Sequence, residues 1–316
     1  MINFRFHIVS LIAVFLALGL GILVGSTVVD QVIVDRLDRE ISSVSHESNQ
    51  LKSENGKLND QQSKLNDFLK KASAYAVENR LTAVSVAIVA EKGIDSGAVD
   101  AVLASVRAAG ADVPGVLWMD AKWQLDKPKD LLALQNAARV TGTVAASRVA
   151  ALRELAARLA TARTARARRT RDVIEPLRSA GFLDFDNGKR SDLAAFPTPG
   201  ARVLVLTGTD SQLSATDTMA DFVQALLAAK VPTVLGEVYD SRGGAVSTPK
   251  RGAALEPVRG DPALAKLVTT FDDADLPQGA LTAVIALEQI TDGPIGHYGY
   301  GEGASESLPP LAVSAP

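Results

Sequence analysis

The first pattern along the chain is an apolar run without a single charge, FHIVSLIAVFLALGLGILVGSTVV over residues 6–29. About 20 helical residues cross a hydrocarbon core of roughly 30 Å, so this run predicts a membrane-spanning helix. A cleavable signal has a shorter apolar stretch closed by a small-x-small site, whereas Gly25, Ser26 and Thr27 lead straight into a charged helical pattern. Residues 1–29 are therefore expected to be a retained, single-pass anchor. Arg5 precedes the span while Asp30, Asp35, Arg36, Asp38, Arg39 and Glu40 follow it, a bias that puts the N-terminus in the cytoplasm and the bulk of the chain outside. Ala17, Gly21 and Gly25 share one small-residue face, which lets membrane helices approach closely.

Beyond the span the period becomes seven. Val34, Ile41, Ser48, Asn55, Gln62 and Leu69 fall at one core position, and Leu37, Val44, Leu51, Leu58 and Leu65 at the other. This predicts a coiled-coil stalk over residues 30–80, reaching roughly 55–60 Å to Ala72 if straight, with Asn55 best placed to favour a parallel dimer. A homo-oligomer held through Gly21, Gly25 and the stalk is the expected consequence. A long helix packed against another helix of the same chain is the alternative.

After Arg80 the heptads give way to short β-rich apolar runs at 84–90, 116–119, 203–207, 233–238 and 267–271. Amphipathic stretches at 98–109, 129–139, 147–179, 214–229 and 278–290 lie between or after them. Such alternation predicts an α/β fold with a mainly parallel sheet. The domain is expected over residues 81–295, its halves at 82–145 and 182–291 joined by a basic helix at 147–179, with a glycine-rich tail at 296–316. Ser214 with Asp217, and Asp261 before Pro262, read as helix starts.

Composition narrows the chemistry. The 316 residues contain no cysteine, which excludes disulfides, thiolate nucleophiles and thiolate-bound zinc, iron or copper. Three histidines remain, and His7 and His46 fall in the anchor and the stalk, so a Ser-His-Asp triad could call only on His297. A non-enzymatic role is expected. The formal charge is -3, yet residues 147–179 hold nine arginines against three acids. Outside the cytoplasm such a segment meets anionic lipid or acidic wall polymer rather than nucleic acid.

The order of these features resembles the mycobacterial copper transporter B, or MctB-like, family of actinobacterial envelope proteins. The resemblance rests on FRFHIVSLIAVFLALGLGILVGS near the N-terminus, the heptads after it, FDDADLPQGALTAVIALE at 271–288 and GHYGYGEGA at 296–304. It implies copper export or tolerance in the envelope, with pore formation in the outer membrane and copper as the transported species rather than a firmly bound cofactor. A membrane-anchored envelope scaffold or binding protein without transport activity is the alternative. The short solid apolar strands are those of a soluble α/β domain, not of a membrane barrel with alternating ten-residue segments.

Copper(I) favours thioether ligands and copper(II) accepts imidazole and carboxylate. Met119, at the carboxyl end of a strand between Trp118 and Trp123, is the candidate for the first, and His297, near Tyr298, Tyr300 and Glu302, for the second. The competing readings are an apolar core and a docking strap. Asp272, Asp273 and Asp275 could gather a hard cation but fit helix capping better. Residues 207–211, a loop after a strand, form the best crevice for an anion or small ligand.

The charge bias around the apolar run makes a direct prediction about topology. A reporter fused after Pro316 should be active only outside the cytoplasm, and the mature chain should keep its N-terminal span. Cytoplasmic activity, or a mature N-terminus beyond residue 25, refutes the anchored N-in arrangement.

Overall fold

The computed structural model describes residues 4–160, 172–186, 196, 201–213, 217–240 and 250–310, with the backbone alone at 26–32 and 217. It divides into two compact units, Met1–Asn66 and Asp67–Pro316. The described residues of the first unit belong to one helix, α1 (Phe4–Val77). No proline occurs before Pro114, so nothing in the covalent chain interrupts the hydrogen-bond ladder. Phe4–Gly25, with mean hydropathy 2.8 and no part buried, is long and apolar enough to cross a membrane. Farther along, Leu37, Val44, Leu51, Leu58 and Leu65 are all exposed.

The second unit is built on one sheet. Its strands are β1 (Val86–Glu91), β2 (Val116–Met119), β3 (Leu183–Asp186), β4 (Arg202–Gly208), β5 (Thr233–Val238), β6 (Thr269–Phe271) and β7 (His297–Tyr298). They lie in the order β3-β2-β1-β4-β5-β6-β7. Only β3 runs antiparallel to its neighbour. The two expected halves meet in this sheet, where β1 pairs with β4 from Val86↔Arg202 to Ala90↔Leu206.

Helices on both faces explain why the strands read as solid apolar runs rather than alternating ones. Ala87, Val89, Leu117, Met119, Val203, Val205 and Leu235 enter one core. Residues of α3 (Pro128–Ala138), α4 (Val144–Ala160), α5 (Ile174–Ser179) and α6 (Asp217–Ala228) close it. Val86, Ile88, Ala90, Val116, Leu204, Leu206 and Val234 enter the other, closed by α2 (Ser96–Ala108) and α8 (Gly279–Gln289). Arg202 donates from one guanidinium nitrogen to the Leu287 and Glu288 carbonyls, capping the end of α8 where acceptors are left over.

Several expectations change. The basic stretch 147–179 is not one helix: α4 ends at Ala160, Asp172 and Val173 are non-helical, and α5 begins at Ile174. The Asp172 carboxylate accepts from Ile174 N and pairs with Arg158 at 3.4 Å, so local capping supplies a new start. Residues 161–171, with five of the nine arginines, lie outside the described residues. Asp261 does accept from Ala263 N, but residues 262–267 form turns instead of a helix. Ser214 also lies outside the described residues. β3 and β7 were not expected, nor was the short helix α7 (Glu256–Arg259).

One position in the sheet tolerates nothing larger than hydrogen. Gly236, opposite Phe271 in the β5–β6 register, would place a Cβ 2.4 Å from Phe271 Cζ. Overpacking of this kind costs about 1–3 kcal/mol. Gly236→Ala should lower the urea midpoint followed by the fluorescence of the chain's two tryptophans, Trp118 and Trp123. Adding Phe271→Leu should recover part of the loss; an unchanged midpoint in Gly236→Ala refutes the packing argument.

Candidate functional site

Charge concentrates at the β5–β6–β7 edge, where the two phrases at 271–288 and 296–304 meet. Asp272 directly follows β6 and is fully buried. One of its oxygens accepts from Arg259 at 2.8 Å, and the other accepts from Tyr300 N at 2.7 Å and Gly301 N at 3.0 Å. Arg259 spends its remaining donors on Thr270 Oγ1 and the carbonyls of Tyr298 and Glu302. Glycine is required where the strap presses on this pair. Gly299 has φ +118°, and a Cβ there would sit 2.2 Å from Asp272 Oδ1.

The neighbouring acids have separate tasks. Asp275 takes a two-pronged ion pair from Arg251, at 2.7 and 2.8 Å, and Arg251 also lies over the Tyr239 ring. Glu237, fully buried on β5, accepts from Gly252 N and Ala254 N, and burial raises its pKa above the ordinary carboxyl range. Asp273 accepts only weakly, from Thr282 Oγ1 at 3.3 Å, and its Oδ1 has no partner among the described residues. Burial, then the charge of Asp272, pushes it up to about 7. Helix capping is therefore not what the three aspartates do: the cap of α8 is Gln278, four to six residues away for the nearest two, and no side chain bonds there. Their oxygens go to arginines and to the strap because these are the buried donors that need them.

The crevice expected at 207–211 lies where β1 and β4 part. Gln212 N donates to Lys92 O, and a Cβ on Gly93 would meet Asp210 O at 2.6 Å, so the two loops are closed on each other. At its floor Glu91, 3% exposed, accepts from Thr207 Oγ1 at 2.6 Å. Burial pushes Glu91 up to about 7 despite hydrogen bonds from Thr207, Ser211 and Gly208. A carboxyl there is a poor setting for an anion. Outside it, Lys92 bridges Asp120 and Asp184 at 3.3 and 3.2 Å.

Met119 and His297 stand far apart. Five strand spacings of about 4.8 Å separate β2 from β7, roughly 24 Å, so they cannot share an ion. Met119 is fully buried in the core that holds Trp123 and Phe182. His297 is half-buried, with Nδ1 2.9 Å from Thr270 Oγ1. Because Thr270 already accepts from Arg259, its own proton points to His297, making Nδ1 the acceptor and leaving Nε2–H toward the Ala265 carbonyl. Burial, then Arg259, lowers the imidazole pKa, which keeps the ring neutral. An ion at His297 must displace one of those partners. Among the described residues no group of three or more His, Asp or Glu side chains is arranged to hold a metal. In the basic stretch, Arg158 is buried against Phe196 O and Asp172, and Arg178 pairs with Glu175.

Sequence reasoning missed Glu91 and Glu237. Their signal was a carboxyl inside the apolar strands VAIVAE and TVLGEV, where a charge has no obvious place. Glu91 and Asp273 bind protons near pH 7 when folded and near their ordinary values of about 4 when unfolded. The folded chain thus holds more protons between these limits, so stability is greatest below about pH 4 as far as these groups decide, falls as pH rises to about 7, and levels off above. Each group is worth on the order of a few kcal/mol. Glu91→Gln with Asp273→Asn should flatten the fall of the urea midpoint between pH 5 and 8 and raise the midpoint at pH 8. A slope unchanged by both substitutions contradicts this.

The profile of the family described as "Copper transport outer membrane protein, MctB" matches residues 1–309. "Copper transporter MctB" of Mycobacterium bovis is 26% identical over 318 aligned residues, covering 96% of this chain and 98% of that protein. The proteins of the same name from two strains of Mycobacterium tuberculosis match equally. The match takes in the apolar helix, the sheet and the strap around Asp272 without a break in coverage at the unit boundary, and on that extent the chain belongs to the MctB family.

Proposed function

We propose that the chain is a membrane-anchored, non-enzymatic envelope protein serving copper export or tolerance, with Phe4–Gly25 in the membrane and the α/β unit outside the cytoplasm. The observation that carries this reading is the family match over residues 1–309, together with relatives named copper transporters. Copper is here a passing substrate. A conduit must release its ion and works without a tight site. The buried thioether of Met119 and the hydrogen-bonded ring of His297 suit that condition, since neither offers a free ligand to an arriving ion. Pore formation by an oligomer in the outer membrane, and contact of the basic stretch 147–179 with anionic lipid or wall polymer, are the finer parts of the proposal.

The exposed heptad leucines of α1 favour a second reading, an anchored scaffold that binds other envelope components. Copper retained by cells separates the two. Deletion should raise cellular copper and cause copper-specific growth loss, and both should be restored by the full chain and equally by its Met119→Leu and His297→Gln variants. Unchanged cellular copper with a shape or division defect independent of copper overturns the export reading in favour of the scaffold.

A further inference from the structure

We propose that the heptad face of α1 is a self-association surface whose occupant is the same face of a second copy, in a parallel, in-register, two-stranded pair. Ile41, Val44, Leu51, Leu58 and Leu65 are 54–65% exposed, and Leu37 50%. Apolar side chains recurring every 3.5 residues along one helix are the knobs of a coiled coil.

The flanking charges identify the occupant. The residues just before three successive positions of the seam are Glu40, Glu47 and Glu54. In an antiparallel pair these glutamates face one another, a repulsive arrangement. In a parallel pair each faces the residue five places on in the other copy, which is Ser45, Lys52 and Asn59 in turn. Glu47 then meets Lys52 with opposite sign, and no like charges oppose. Zero stagger also sets Ser48, Asn55 and Gln62 against their own counterparts, where polar ends bond across the seam instead of facing leucine. A shift by one heptad would set Gln62 against Leu69.

The Gly21 and Gly25 stripe belongs to a different side. Counting about 100° per residue, these glycines lie roughly 120–180° around the helix from Val34 and Leu37, so a pair zipped along the seam does not bury them. One interface cannot use both features, and the seam makes the pair.

The chain has no cysteine, so an introduced one reports its contacts without background. In the full chain purified in detergent, Asn55→Cys on the seam should form an intermolecular disulfide at least about tenfold faster than Ser53→Cys on the outer face, because only seam positions come within bonding reach. Glu47→Lys should shift the light-scattering mass toward monomer at low salt, and Glu47→Lys with Lys52→Glu should restore it, a rescue that general damage to the helix would not permit. A monomeric mass for the unmodified chain, equal disulfide rates at 53 and 55, or no rescue by the double reversal overturns the proposal.

Discussion

Arg259 and Asp272 form an ion pair with almost no exposure, at 3% and 0%, and the second edge of the sheet depends on it. Removing both charges from water costs several kcal/mol each, a debt met only when the remaining donors and acceptors are also satisfied. Those partners come from Thr270, Tyr298, Tyr300, Gly301 and Glu302, so the pair is tolerable only with the strap in place. The strap in turn has only the two residues of β7 in the sheet and relies on the pair to hold it. Loss of either charge would strand the other, at about 3–5 kcal/mol. The glycines follow from the same constraint: a Cβ on Gly301 would meet Arg251 O at 2.5 Å, and one on Gly299 would strike Asp272 itself.

Asp272 and Asp273 are adjacent, equally buried and opposite in solution. The first is held as an anion by a guanidinium and two backbone N–H groups, whereas the second has no such partner and is pushed toward the neutral acid, partly by the charge of the first. Glu91 repeats the second solution at the far side of β4, its hydrogen bonds outweighed by burial. The parallel strands force this economy, because covered on both faces they leave a carboxyl at a strand end no water to lean on.

The strands at 116–119 and 233–238 were legible to the residue, and the helices near 98–109, 129–139 and 278–290 to within two, because burial on one or two faces writes a period into the sequence. β3 was not, since LDFD is an edge strand with two acids in four residues, and β7 is too short to carry any period. The phrases at 271–288 and 296–304 were recognisable as marks of a family, yet their purpose was not. That purpose is a contact between Asp272 and residues 27 to 29 positions later, and no local pattern encodes who answers a buried charge. Met119 illustrates the converse: its place at a strand end was right, but the core that swallows it comes from α3 to α5 and from Phe182.

These facts constrain how copper could meet the chain under the proposed function. A site for tight capture needs lone pairs held ready, and the buried acids of the edge have spent theirs on arginines, backbone amides or a proton. The neutral imidazole of His297 is similarly engaged, through a hydroxyl that Arg259 itself orients. Releasing any of these groups to an ion would undo bonds on which the edge relies, so the free energy of metal binding would be set against that of folding. An ion handled by this protein therefore meets exchangeable oxygen ligands on exposed surface rather than the buried network, and specificity for copper must come from the assembly it passes through.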